Sequence, residues 1–193
     1  MGRRPQIDRA GILDVAMRLA DERGLEAVTM QAVAQRLNVT PMALYRHLDG
    51  KQALLDGLVE RLLTSYPLPP ADAAWPARLT AMAEAIRSTA IRHPAVFPLL
   101  LTRPAVTSAA RAVRDSVLMA LREAGLGETD AARAERLIST AVLGFAASEA
   151  AGRFRHHSLA VIDEDFAVLL NWLRLVLSSA LEPGSDPPGS GKG

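Results

Sequence analysis

The segment from Thr29 to Lys51, TMQAVAQRLNVTPMALYRHLDGK, constrains the chain more than any other, because it prescribes two short helices and the corner between them. Thr29 is suited to cap a helix, Val33 and Leu37 stand four apart on an inward face, and Ala34 is small enough to admit a crossing helix. Asn38 fits the left-handed stop that glycine more often fills, and Val39 supplies the apolar contact that follows such a stop. Thr40 is expected to cap again, with Pro41 at the first helical position, where its missing N–H costs nothing. Leu44 and Leu48 then face inward, which turns Met42, Ala43, Tyr45 and Arg46 toward solvent. A helix pair joined by a three-residue corner is the helix-turn-helix, whose second helix can enter the major groove of duplex DNA. Lys51 strengthens this: a cation in the first turn of a helix opposes the dipole, whereas a phosphate there is favoured by both dipole and lysine. Such corners also occur as purely structural features, so the pattern alone leaves that alternative open.

At 193 residues and 49% hydrophobic content, the chain can bury one substantial core and has little room for two. Aromatics make up only 4%, alanine and leucine dominate, and no β-branched segment alternates with period two, so the expected fold class is all-α. With no cysteine there is neither a disulfide frame nor a thiolate metal site. Met1 leads into GRRPQIDRAG with no apolar segment, and no stretch approaches the roughly 18 apolar residues of a membrane span. A cytoplasmic protein without membrane contact is expected. A net charge of +1 says little about nucleic acid, but Arg3 and Arg4 make a basic arm that could reach phosphate or minor groove, or simply remain solvated.

Periodicity places a first helix from Asp8 to Arg23, stopped by Gly24, and a fourth from Lys51 with a broad stripe at Leu54, Leu55, Leu58, Val59, Leu62 and Leu63. Pro67, Pro69, Pro70 and Pro76 stiffen the connector Tyr66 to Pro76. Further helices are expected over Trp75 to Arg92, Val96 to Leu101, Val106 to Ala124, Thr129 to Phe154 and Asp163 to Leu181. The eighth is rich in small residues, Gly144 and Gly152 among them, and the ninth is apolar on nearly every face, including Trp172 and Leu173. A chain of this size cannot cover such a helix by itself, so a second copy packing its own eighth and ninth helices there is expected, making a homodimer. The domains expected are a head at 6–66 with the helix-turn-helix at 29–48, a second domain at 67–181, and a disordered tail at 182–193.

The run ALYRHLDGKQALLDGL from Ala43 to Leu58, preceded by VTMQAVAQRLNV, resembles the DNA-binding domain of the TetR family, the tetracycline-repressor-like one-component regulators, over about Ile7 to Leu63. That family's recognition helix carries a leucine, an aromatic, a basic or aromatic residue and a histidine, then a turn and a lysine; Leu44, Tyr45, Arg46, His47 and Lys51 match it. The resemblance implies that Thr29 and Gln31 lie near phosphates or a base, that Thr40, Pro41, Met42 and Ala43 approach bases, and that Tyr45, His47 and Lys51 hold the phosphate backbone of a palindromic operator. Arg46 stands where the founding repressor carries tryptophan, and Gln31 where it carries a base-reading arginine, so a different operator sequence is implied. Trp75, His93 and the triplet Thr102-Arg103-Pro104 resemble landmarks of the tetracycline-repressor C-terminal subfamily, in which a small-molecule effector releases the repressor from DNA. The positions that match the founding repressor's metal and drug ligands are Pro67, Met82, Ile86 and Leu99, none of which can hold a metal. The effector implied is therefore largely apolar and not tetracycline, bound among Leu62, Met82, Ile86, Leu99 and Val117 with Thr102 and Arg103 as polar handles, and no cofactor is expected. Met82, Ile86 and Leu99 could equally be plain core.

Two rivals remain. A helical metalloenzyme would draw on Glu149, His156, His157, Asp163, Glu164 and Asp165, but the Glu-x-x-His spacing of bundle metal sites is absent, and the acidic trio suits the first turn of the ninth helix. His93, before a proline, suits a helix-end contact better than a general base. An interaction module that never touches DNA would have no use for exposed Tyr45, Arg46 and Lys51 together.

Overall fold

The first two helices begin at residues whose side chains cap them. Asp8 Oδ1 accepts the Gly11 N–H at 2.8 Å, and Thr29 Oγ1 accepts the Ala32 N–H at 3.0 Å. The computed structural model describes residues 7–67, 69–70, 72–103 and 107–180, and among these it contains only helices and their connections. In order they are α1 (Arg9–Arg23), a 3-10 turn (Leu25–Ala27), α2 (Met30–Arg36), α3 (Pro41–Tyr45), α4 (Gly50–Thr64), α5 (Trp75–Arg92), α6 (Leu99–Thr102), α7 (Ser108–Glu123), α8 (Glu128–Ala150) and α9 (Leu159–Ala180). The Arg3-Arg4 arm, Pro104, Val106, Leu181 and the tail 182–193 lie outside the described residues.

Gly24 ends α1 at φ 82°, and Asn38 turns left-handed after α2 at φ 55°. Around Asn38 the Val39 N–H reaches Ala34 O and the Asn38 N–H reaches Gln35 O, the paired bonds of a Schellman stop, with Val39 packed onto the core. Thr40 sits at the cap position of α3 but makes no side-chain cap bond, against expectation. Its own carbonyl takes the Ala43 N–H at 2.9 Å, which is the amide its hydroxyl would have capped.

The eighth helix ends earlier than its small-residue pattern suggests. Gly152 adopts φ 74°, and Arg153 and Gly152 donate back to Ser148 O and Glu149 O, so α8 stops at Ala150. Turns and a bend occupy residues 151–157 before α9 begins at Leu159, with the Val161 N–H on Ser158 Oγ at 3.4 Å. Asp163, Glu164 and Asp165 therefore stand beyond the first turn of α9 and not within it.

One core runs through the head and into the second domain. Ile12, Leu19, Val33, Leu44, Leu54 and Leu58 belong to the same buried cluster as Val96, Leu99 and Ala110. Gly57 lets α1 and α4 touch: a Cβ there would stand 2.5 Å from Leu13 Cδ2. At the far end of that cluster, the His93 ring at the close of α5 stands with Nδ1 2.9 Å from Asp21 Oδ2 on α1, and the Arg103 guanidinium after α6 bonds Asp56 and Gln52 on α4. His93 is thus a helix-end contact between domains. Deeper in the second domain α5 lies against α7 and α8, and Arg78, 1% exposed, pairs there with Glu123 of α7.

Candidate nucleic-acid interface and effector layer

In the α2–α3 corner Asn38 and Thr40 are exposed, while Val39 packs onto the core. Leu44 and Leu48 are buried, which fixes the roll of α3 about its axis and determines which residues it presents. Met42 is 70% exposed and Tyr45 47% exposed, large apolar groups that a monomeric head gains nothing by showing to water. Gln31, Thr40, Pro41, Arg46, His47 and Lys51 are exposed beside them, and Ala43 is half-buried. Thr29 is exposed at the mouth of α2, with its oxygen occupied by the cap and its hydroxyl hydrogen still available to donate. Of the ten residues singled out in the sequence, nine are exposed and Ala43 is half-buried.

Charge divides the head into spent and available cations. Arg9 pairs with Glu60 at 2.8 Å, Arg36 donates to Glu22 at 3.0 Å, and Arg61 reaches Asp14 at 2.7 Å. The Arg36 guanidinium holds the Glu22 carboxyl below its ordinary value. Arg46 and Lys51 enter no ion pair among the described residues. Arg46 directly follows the exposed Tyr45, and Lys51 lies in the first turn of α4, where backbone N–H groups also point outward. Exposed apolar and hydrogen-bonding groups together with unpaired cations suit the edges of bases and the phosphates on either side of them.

The seven effector residues named in the sequence fall into adjoining layers. Leu62 and Leu99 belong to the core shared with the head, Met82 and Val117 to a cluster drawn from α5, α7, α8 and α9, and half-buried Ile86 packs against the shared core and two smaller clusters. Thr102 is exposed, its hydroxyl 3.4 Å from Pro98 O, and Arg103 is directed at α4. Sequence patterning missed Tyr66, just after α4, which is buried in the shared core with a hydroxyl that has no hydrogen-bond partner among the described residues. Burial pushes its phenol well above the ordinary tyrosine range. Only the apolar neighbours that distant segments bring there show it to be an interior polar group. Glu149 and Asp163, weighed as metal ligands, instead bond Arg87. Among the described residues no group of three or more histidine, cysteine, aspartate or glutamate side chains could hold a metal ion.

An outward helix-turn-helix built onto a helical domain defines the class of ligand-responsive DNA-binding regulators. Residues 12–58 match the model of bacterial regulatory proteins of the tetR family, and residues 66–182 match the tetracyclin repressor-like C-terminal domain. The chain belongs to the TetR family of transcriptional regulators. Among its relatives is the HTH-type transcriptional repressor DrrR1 of Streptomyces coeruleorubidus, 29% identical over 94% of this chain and 68% of the relative. A regulator from Saccharopolyspora erythraea is 28% identical, and of that relative's length the chain spans 64%. Among solved structures, Mycobacterium smegmatis BioQ superposes with a TM-score of 0.77 at 26% identity, covering 90% of this chain and 99% of BioQ; BioQ has also been seen with its double-stranded DNA operator. Among the described residues no helix is long and apolar enough to cross a membrane.

Proposed function

We propose that this chain is a cytoplasmic, homodimeric repressor without enzymatic activity, which binds a palindromic operator and leaves it when a small, largely apolar effector binds. The observation that carries DNA binding is the unpaired pair Arg46 and Lys51 with exposed Met42 and Tyr45. Lys51, Tyr45 and His47 hold phosphates in this scheme, with Thr29 and Gln31 at the entrance of α2; Thr40, Pro41, Met42, Ala43 and Arg46 face bases. Dimerisation is supported by Leu137 of α8, 66% exposed, and Trp172 and Val176 of α9, 63% and 66% exposed, an apolar surface that a second copy would cover. The effector acts among Leu62, Met82, Ile86, Leu99 and Val117, which adjoining clusters hold, with the Tyr66 hydroxyl, Thr102 and Arg103 as its polar handles. From Leu62 the helix α4 runs back to Lys51, so a ligand that tilts α4 moves the phosphate contact itself.

Purified protein incubated with fragmented genomic DNA should retain fragments that share an inverted repeat, read out by sequencing. Retention without a shared repeat would rule out specific operator binding.

A further inference from the structure

On the outer flank of the second domain, an open groove of about 730 Å³ runs between α5 and α9, a size in the range of small-molecule sites. Arg87 lies in its floor. Its Nε and Nη2 donate to Glu149 at 2.6 and 2.7 Å, Nη2 also donates to Asp163 Oδ1 at 2.7 Å, and the guanidinium carbon stands 4.9 Å from the centre of the Phe166 ring. Arg174, at the other end, donates to Asn171 Oδ1 at 2.8 Å. The charged lining is Glu84, Glu149 and Asp163 against Arg87 and Arg174, three negative and two positive, so one negative charge is in surplus. Glu84 has no ion pair among the described residues, and the Asp163 side chain is 65% exposed, with acceptor capacity beyond its bond to Arg87.

The walls are apolar. Ile91 is 53% exposed and Leu159 76% exposed at one end, and Leu170 lines the groove about three turns further along α9. Thr80, Leu170 and Arg174 line both this groove and a narrow cleft of about 40 Å³ that leads inward past Leu79, Ile138 and Leu173. At 100° per residue, Asp163, Leu170 and Arg174 fall on the side of α9 opposite Val161, Val168 and Trp172. A second copy covering that exposed apolar stripe leaves the groove open.

We propose that the groove binds an amphipathic organic cation, its ammonium or amidinium group between Glu84 and Asp163 and its ring or chain along Ile91 and Leu159. An anion would meet the surplus carboxylate, and a bare metal ion would make no use of the apolar walls. The site is separate from the layer of Met82 and Ile86, and only its consequence for DNA rests on the regulator function proposed above.

Calorimetry on the full chain with 1-naphthylmethylammonium, 1-naphthylmethanol and 1-naphthylacetate, one aromatic body with three charges, tests it. The cation should bind tightest, and Glu84→Gln with Asp163→Asn should weaken it by about tenfold while leaving the neutral alcohol unchanged. Leu159→Ser, at an exposed position, should weaken both. Equal binding of all three probes, tightest binding of the anion, no binding of the cation at millimolar concentration, or a folded double variant that binds the cation like the parent protein would each overturn the proposal. Retention of DNA fragments is measured separately. Protein that binds the cation but no DNA keeps the groove and loses the regulator function; protein that holds an operator but ignores the cation loses the groove alone.

Discussion

Arg46 and Lys51 are both exposed, unpaired cations of the same surface, yet different consequences are expected from removing them. Lys51→Ala should weaken binding to all sequences alike and lower the salt slope of operator affinity by about one unit per half-site, because a phosphate contact carries no sequence information. Arg46→Ala should cost about 1–3 kcal/mol at one base pair if it donates bidentately to guanine, and titrations against single-base operator variants distinguish the two effects. Uniform weakening by Arg46→Ala would make it a phosphate contact. Tyr66 behaves differently again. Its folded phenol ionises above the ordinary value of 10.0, so the unfolded chain loses the proton first and stability falls as pH rises past about 10. Tyr66→Phe should remove that alkaline loss, stabilise the protein at neutral pH by about 1 kcal/mol, and weaken the effector; denaturation midpoints at pH 8 and 11 test the first two. That Met42, Tyr45 and Arg46 face solvent was legible in the inward spacing of Leu44 and Leu48, whereas Thr29, Gln31, Thr40, Pro41 and His47 were singled out by the family resemblance. Tyr66 and Arg87 were not legible, since what makes them unusual is supplied by residues far along the chain.

Helix starts and stops were legible wherever a side chain or a left-handed residue carries them, as at Asp8, Gly24, Thr29 and Asn38. The α8–α9 junction was not, because Gly152 in a row of small residues looks like one more site of close packing, and only its positive φ reveals a stop. The α5–α7 layer is legible as apolar, but an apolar layer that holds a ligand and one that is merely core have the same composition. Met82→Trp or Ile86→Trp, which fill that layer, should abolish effector-driven release while leaving operator affinity nearly intact, checked by operator titration with and without effector. Variants that still release DNA would place the effector elsewhere. The close approach of α1 and α4 at Gly57 supplies another test. Gly57→Val would drive its side chain into Leu13, wedge α1 from α4 and cost about 1–3 kcal/mol, measured by urea denaturation.

The expected two-fold assembly needs the exposed stripe of α9, and the structure refines which residue tests it. Leu173 is half-buried and packs with Val142 and Phe166, so Leu173→Glu would damage the fold itself. Trp172, at 63% exposure, is the cleaner site: Trp172→Glu should give a folded monomer by light scattering and circular dichroism, and a folded dimer would exclude this surface as the interface. A monomer should also lose the preference for inverted repeats with half-sites about 34–36 Å apart or a small multiple. Coupling of about 1–3 kcal/mol between effector and operator would change DNA affinity roughly 5- to 150-fold, and operator DNA must weaken the effector by the same factor. The cluster that joins Ile12 and Leu58 to Val96, Leu99 and Ala110 has one more consequence. The head is not a cartridge. Transplanted onto the second domain of a relative, it would arrive with half of a jigsaw cut for another piece, and a chimera meant to exchange operator preference must carry the residues of α6 and the start of α7 along with it.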